Sequence, residues 1–182
     1  MKNVLISLAM TVLLAACASG PRVNVASNTN PSTDFASFET YDFMQPLGTD
    51  RAGGVRTPLS EMLSTALSAE MEKRGFRRAS EPDILINVFV NTEQRLDVRQ
   101  VPTSSSFHGY RRGRYSTWGS YRTEVREYNQ GTLAVDLVDA GQNILAWEGV
   151  AMQRLGRNTE INQEAVDQVV AAVMAEFEHS AK

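Results

Sequence analysis

Few side chains in this sequence have the types and spacings that catalysis requires. The chain of 182 residues contains two histidines, His108 and His179, and a single cysteine, Cys17. Neither histidine has a metal-ligating or catalytic partner at a recognisable spacing. The His-Glu-x-x-His, Gly-x-Ser-x-Gly and phosphate-loop patterns are also absent from the sequence. We therefore expect no metal and no other cofactor, and we expect the protein not to be an enzyme.

Paired carboxylates are the remaining candidates for acid–base chemistry. Asp136 and Asp139 are three residues apart in a segment with strand character, so their side chains point to opposite faces. Asp136 and Glu148 can lie diagonally on one face of a hairpin, where two carboxylates can act on a glycosidic bond. The sequence favours the simpler interpretation that Asp136 and Glu148 are solvated polar residues without a catalytic role. A glycan- or lipid-handling enzyme that uses exposed carboxylates is the alternative function.

The segment from Ser104 to Arg122 combines arginines with aromatic side chains. From Phe107 onward it contains four arginines, five aromatic residues and no acidic residue. Guanidinium groups bind phosphates and carboxylates, while aromatic rings stack on flat partners. A flexible Gly- and Ser-rich connection, with its aromatic rings laid partly on the sheet, is the simpler interpretation. The functional hypothesis is a partner-binding loop with the contact residues Tyr110, Arg111, Arg112, Arg114, Tyr115, Trp118, Tyr121 and Arg122.

The first 17 residues are typical of an export signal. A positive charge at Lys2 precedes an apolar run from Val4 to Leu14, and small residues follow up to Cys17. The apolar run is too short to span a bilayer comfortably as a helix. An ordinary secretory signal with a chance cysteine, or a buried helix, is the alternative interpretation.

The segment Leu14-Ala15-Ala16-Cys17 resembles the lipobox of bacterial lipoproteins. The resemblance implies cleavage before Cys17, a thioether-linked diacylglycerol on its sulfur and a further acyl chain, such as palmitate, on its amino group. Two or three acyl chains hold a domain stably on a membrane, since each buried methylene contributes about 0.8 kcal/mol. Ala18 favours the outer membrane by analogy with enterobacterial sorting. We expect a domain in the bacterial envelope that faces the periplasm, which makes nucleic acid an improbable partner.

Composition and charge fit one globular domain behind that anchor. Hydrophobic residues make up 42% of the chain and charged residues 21%, as in ordinary globular proteins. A formal charge of −3 gives no general attraction to nucleic acid or to an anionic membrane. The predicted organisation is a signal peptide at 1–16, an acylated cysteine and tether at 17–22, and one domain at 23–182 with a flexible arginine- and aromatic-rich loop at 100–122.

Two amphipathic helices and several strands are predicted to build the domain. Apolar residues at helical spacing predict a helix from Pro58 to Arg74, with Thr57 as its N-cap and Gly75 as its stop. A second helix is predicted from about Asn162 to Glu178. The order β-β-α-β-β-β-α predicts an α+β fold with an antiparallel sheet of four to five strands and both helices on one face. The predicted strands are 23–25, 38–43, 83–92, 132–138 and 144–155, and the third of them is predicted to continue irregularly through Val98.

The last two strands are predicted to form a hairpin. Leu137, Leu145 and Trp147 are all odd-numbered, and burying them on one face requires an odd number of loop residues. A three-residue loop would place Leu137 opposite Leu145 and Val135 opposite Trp147. The even-numbered face is apolar enough to need a cover, either the long loop, a dimer mate or another envelope protein. The sequence leaves the oligomeric state open.

Several short motifs occur in order along the chain: Phe35-x-x-Phe38-x-x-Tyr41, Gly75-Phe76, Pro82-Asp83, Gly131-Thr132-Leu133-x-x-Asp136-x-x-Asp139 and Trp147-x-Gly149-x-Ala151. Together they resemble the DUF4136 family of bacterial lipoproteins, a family of unknown function. The resemblance runs from about Val23 to Phe177 and implies an envelope-anchored α+β domain without established catalytic residues.

We expect a membrane-anchored envelope lipoprotein whose domain is a non-catalytic interaction or structural module. Its expected partners are the membrane, through Cys17, and another envelope protein, an anionic lipid or a glycan. A carrier of a small apolar ligand between sheet and helices is a further alternative.

Overall fold

The computed structural model describes residues 23–102, 121–156 and 159–181. A short 3-10 helix, Phe35–Ser37, precedes the second strand. Cys17, His108 and the predicted contact residues Tyr110, Arg111, Arg112, Arg114, Tyr115 and Trp118 lie outside the described residues. The elements are β1 Asn24–Thr29, β2 Thr40–Phe43, α1 Pro58–Lys73, β3 Arg77–Arg78, β4 Ile84–Pro102, β5 Tyr121–Asp139, β6 Ile144–Leu155 and α2 Gln163–Met174.

The strands form one mixed sheet of six strands in the order β1-β6-β5-β4-β2-β3. Strands β1, β6, β5 and β4 pair antiparallel, whereas β2 runs parallel to both β3 and β4. The predicted α+β class and the two helices are confirmed. The predicted count of four to five strands and the purely antiparallel pairing are wrong. The two residues of β3 are too few for a periodic pattern, and the α1 crossover that joins β2 to β3 allows parallel pairing.

Helix α1 begins and ends where the sequence predicted, within one residue. The Thr57 hydroxyl accepts a hydrogen bond of 3.0 Å from the Ser60 N–H, and Pro58 occupies the first turn. Gly75 follows the helix with φ of 89°, in the left-handed region that favours glycine. The apolar face of the helix packs into the core through Leu63, Ala66, Leu67 and Met71.

Helix α2 is shorter than predicted. The Asn162 side chain caps it by accepting a hydrogen bond of 2.9 Å from the Ala165 N–H. The helix ends at Met174 because the next turn tightens: Phe177 donates its N–H to the Met174 carbonyl, three residues back. This turn directs the Phe177 ring into the core, 5.2 Å from the Trp147 ring.

The hairpin of β5 and β6 closes through four residues, 140–143, and not through the predicted three. With an even number of loop residues, odd-numbered residues of β5 face even-numbered residues of β6. A bulge, with Ala146 as the extra residue, restores that parity. Leu137 therefore lies opposite Trp147, and both predicted pairings are wrong by two residues. Leu145 falls before the bulge and is 42% exposed, although the sequence predicted it to be buried.

Strands β4 and β5 extend beyond the rest of the sheet as a two-stranded arm. Each strand has 19 residues, and the two remain paired along their whole length. Strand β6 pairs with β5 only from Asn129, and β2 pairs with β4 only as far as Ile86. We define the arm as residues 95–102 of β4 and 121–128 of β5. In the described part of the chain, neither arm strand pairs with a third strand.

The arm corrects the predicted loop and strand boundaries. Residues 100–102 and 121–122 belong to β4 and β5, and so they are not part of the flexible loop predicted at 100–122. The strands predicted at 83–92 and 132–138 were also too short. Their outer halves alternate polar with apolar residues and carry several charges, a pattern that sequence analysis does not separate from a solvated connection.

Candidate interaction surfaces

One face of the arm is a ladder of alternating charges. The Arg122 and Arg126 guanidinium groups lie 2.6 and 3.2 Å from the Glu124 carboxylate. On β4, Arg99 and Asp97 form an ion pair of 3.0 Å. Hydrogen bonds from Arg122 and Arg126 lower the pKa of Glu124, and a hydrogen bond from Arg99 lowers that of Asp97. Exposed pairs of this kind add little stability.

The opposite face of the arm is apolar and exposed. Val98 lies directly opposite Val125 in the ladder, and their exposed fractions are 62% and 57%. Leu96 and Tyr121 lie on the same face and are 63% and 66% exposed. A single exposed apolar residue is ordinary, but a group on one face of a projecting element is typical of a contact surface.

The structure describes two of the eight predicted contact residues. Tyr121 lies on the apolar face of the arm, opposite Pro102, and Arg122 lies on the charged face beside Glu124. These two side chains therefore do not form one surface. The arm residues Leu96, Val98 and Val125 were not predicted as contact residues. The alternation that continues through Val98 puts Leu96 and Val98 on one side of the strand, but it does not show that this side is exposed.

Two of the hairpin carboxylates lie together, and the third lies apart from them. Asp136 and Glu148 are directly opposed across β5 and β6, so they are closer than the predicted diagonal arrangement. Burial raises the pKa of Asp136, and the neighbouring Glu148 raises it further. Asp139 is buried at the hairpin turn, where it accepts hydrogen bonds of 2.9 Å from the Gly141 and Gln142 N–H groups. The predicted divergence of Asp136 and Asp139 is confirmed, since Asp139 is a turn-forming residue.

His179 has a packing role. Its imidazole stacks on the Phe35 ring, with the two ring centroids 4.2 Å apart. In residues 23–102, 121–156 and 159–181, no cluster of three or more His, Cys, Asp or Glu side chains is placed to hold a metal ion. Over the same residues, no helix has both the length and the hydropathy needed to cross a membrane.

An apolar groove lies where the two helices meet the sheet at the base of the arm. Its volume is about 670 Å³. The buried side chains of Leu63, Leu133 and Val166 form its floor. Val90 and Ile161 stand at its edge and are 41% and 60% exposed. Sequence analysis could not locate this groove, because its walls come from α1, α2, the strands and the segment that follows β6.

The residues that carry the family resemblance have structural roles. The Asp83 carboxylate accepts hydrogen bonds of 2.9 Å from the Glu39 and Thr40 N–H groups and of 2.8 Å from the Thr40 hydroxyl. These hydrogen bonds lower the pKa of Asp83 and fix the start of β4 against β2. Gly75 forms the turn after α1, and Gly149 leaves room for the Trp147 ring. These motif residues therefore account for local features of the fold.

The model of DUF4136, a domain of unknown function, matches residues 25–177 of the chain. The chain belongs to the DUF4136 family. A solved DUF4136 family protein from Bacteroides thetaiotaomicron is 15% identical to it, with a TM-score of 0.49. That alignment covers 87% of this chain and 97% of the other. The membership confirms the resemblance inferred from the sequence and assigns no activity.

Other solved structures resemble this DUF4136 chain at low identity. A PDZ domain protein from Parabacteroides distasonis is 13% identical, with a TM-score of 0.52, and the alignment covers 96% of this chain and 39% of the other. The DUF4136 chain thus spans well under half of that protein, and the likeness shows the fold alone. A PelC dodecamer from Paraburkholderia phytofirmans is 8% identical, with a TM-score of 0.48 and coverage of 87% and 98%. No curated protein matches the chain.

Proposed function

We propose that this DUF4136 protein is a lipid-anchored envelope protein whose folded domain is a non-catalytic interaction module. The arm is the observation that supports this function most. None of its residues is among the buried hydrophobic residues of the described core. The arm presents one charged and one apolar face, and both are available to a partner. A projecting element that the core does not require is better explained by binding than by stability.

The proposed anchor is Cys17, acylated after removal of residues 1–16. Val23 is the first described residue and packs against the core. Five residues lie between it and Cys17, which makes six steps from Cα to Cα, and a fully extended chain spans at most about 3.6 Å per step. Val23 therefore lies within about 22 Å of Cys17. This short tether would hold the domain at the periplasmic side of the outer membrane.

The partner that best fits the arm is another envelope protein. The apolar face of the arm supplies the kind of apolar contact that forms the centre of protein interfaces, and the charged face on the other side of the arm offers polar contacts. The arm strands lead directly into residues 103–120, which supply Arg111, Arg112 and Arg114. Arginine at these positions would add bidentate contacts to carboxylates of the partner. An anionic lipid or a glycan would bind the same arginines but would not contact the apolar face of the arm.

We expect the combined variant Arg111→Ser, Arg112→Ser and Arg114→Ser to lose its crosslinked partner in intact cells. The variant loses three charge-assisted contacts with the partner. Its membrane fractionation and its thermal midpoint should stay unchanged. The control variant removes three exposed cations away from the arm: Arg51→Ser, Lys73→Ser and Arg77→Ser. It should keep the partner.

An unchanged crosslinking pattern in the arm-side variant would contradict the proposal. Loss of binding to anionic vesicles, with protein crosslinks retained, would show that the arginines bind lipid instead. A second variant, Val98→Thr with Val125→Thr, tests the apolar face and keeps the β-branched shape that strands favour. It should also weaken the partner crosslink without lowering stability.

A further inference from the structure

We infer that the apolar groove at the base of the arm binds the hydrocarbon chain of a membrane lipid. The inference adds a ligand to the proposed envelope protein and relies on the proposed anchor for proximity to a bilayer. At about 670 Å³, the groove falls within the range of pockets that hold small ligands. Its floor of leucine and valine side chains offers only apolar contacts, which suits a hydrocarbon.

The polar residues of the groove select against a charged ligand group inside it. Glu160 is the charged residue of the lining, and the described lining contains neither lysine nor arginine. A carboxylate or phosphate in the groove would therefore lack a counterion and would be repelled by Glu160. Gln153, Thr159 and Gln168 also line the groove and can hydrogen-bond an ester or a hydroxyl. The acyl chain thus lies inside, and the charged headgroup stays in solvent.

The position of the groove indicates where the lipid comes from. Val23 is part of its lining, so the polypeptide that leads to Cys17 leaves the domain at the groove. The five-residue tether keeps Val23, at the groove, within about 22 Å of Cys17 and hence near the bilayer surface. The exposed side chains of Val90 and Ile161 form an apolar edge through which a chain can pass.

The lipid is a separate molecule and not the anchor itself. Stable anchoring requires at least two hydrophobic attachments in the bilayer, since a single acyl chain binds only marginally. Moving one of the three acyl chains of Cys17 into the groove would leave only two in the bilayer, the minimum for stable anchoring. A bilayer phospholipid can enter the groove without this cost.

A photoreactive side chain tests the occupant directly. A benzophenone amino acid is placed at Ala172, which lines the groove, or at Ala175, which is exposed at the end of α2 and outside the lining. The full acylated protein is irradiated in vesicles of phosphatidylethanolamine and phosphatidylglycerol. We expect a mass gain of one phospholipid at position 172 and none at position 175. Adding Ala165→Trp, which fills the groove from the same helix, should remove the adduct while the thermal midpoint is retained.

Three outcomes would overturn the inference. Equal labelling at positions 172 and 175 would show non-specific contact with the vesicle. An adduct that survives Ala165→Trp would place the lipid elsewhere. A crosslink within the chain to an acyl group of Cys17 would show that the anchor occupies the groove. The mass of the N-terminal peptide, read from the same sample, reports acylation separately. An unacylated chain that is still labelled at position 172 would refute the proposed anchor but would still support lipid binding in the groove.

Discussion

Replacing Gly149 by alanine should destabilise the domain by about 3 kcal/mol, the upper end of the cost of overpacking a core. A Cβ atom at this position would lie 2.2 Å from the Trp147 ring and 2.6 Å from the Val173 side chain. Neither neighbour can move away easily, since Trp147 is 1% and Val173 0% exposed. A loss of this size is a large share of the roughly 5–15 kcal/mol that stabilise a typical domain.

Urea unfolding of the purified protein measures the effect, with Gly141→Ala as the matched control. A Cβ at Gly141 meets its nearest atom, an Asp139 oxygen, at 3.4 Å, so we expect a change within about 0.5 kcal/mol. Adding Trp147→Phe to Gly149→Ala removes the ring atoms that clash. The double variant should therefore be more stable than the sum of the single effects implies. Wild-type stability of Gly149→Ala would contradict the packing of Trp147 described above.

Arg74→Ala should cost about 3 kcal/mol, because it removes one partner of a largely buried ion pair. The Arg74 guanidinium lies 2.7 Å from the Glu70 carboxylate, which belongs to a residue that is only 8% exposed. The same guanidinium donates to the Met174 carbonyl at the end of α2. Arg74 thus joins the ends of both helices, and its loss leaves Glu70 with Lys73 alone.

Lys73→Ala is the control for Arg74→Ala, since both cations pair with Glu70. The Lys73 side chain is 67% exposed, so its loss should cost less than about 1 kcal/mol. Thermal unfolding of both variants beside the wild type gives the comparison. Equal destabilisation by the two variants would show that net charge, and not the buried contact, stabilises this corner of the core.

The pH dependence of Arg74→Ala separates the ion pair from the contact with α2. Burial raises the pKa of Glu70, but hydrogen bonds and ion pairs from Lys73 and Arg74 outweigh it and hold that pKa below its ordinary value. A folded-state pKa below the unfolded value gives stability that is present above the unfolded pKa and is lost as pH falls through the folded pKa. The penalty of Arg74→Ala should therefore shrink in acid. A penalty independent of pH would assign the whole effect to the hydrogen bonds that Arg74 donates to the backbone carbonyls of Glu70, Met174 and Phe177.

Local signals explain which elements the sequence predicted well. The Thr57 cap, the apolar spacing and Gly75 all lie within or beside α1, so they locate its ends without knowledge of the rest of the fold. The apolar spacing placed the start of α2 at about Asn162, and the structure shows Asn162 as the N-cap of this helix. The end of α2 was misplaced because Phe177 continues the helical spacing while its backbone leaves the helix.

Non-local contacts explain what the sequence did not predict. The bulge at Ala146 depends on the pairing of two strands, and spacing within one strand does not show it. The apolar face of the arm was missed because exposure depends on where the neighbouring strands end. The groove joins Val23 to residues that are far apart in the chain, such as Leu63 and Val166. A site assembled from separate elements leaves no single pattern in the sequence.

Intact-mass and peptide mass spectrometry of the protein purified from membranes tests the proposed function most directly. The anchored form predicts a chain that starts at Cys17 and carries a diacylglycerol on its sulfur and a further acyl chain on its amino group. A free thiol on a chain that still begins at Met1 would contradict the anchor, the envelope location and the choice of partner together.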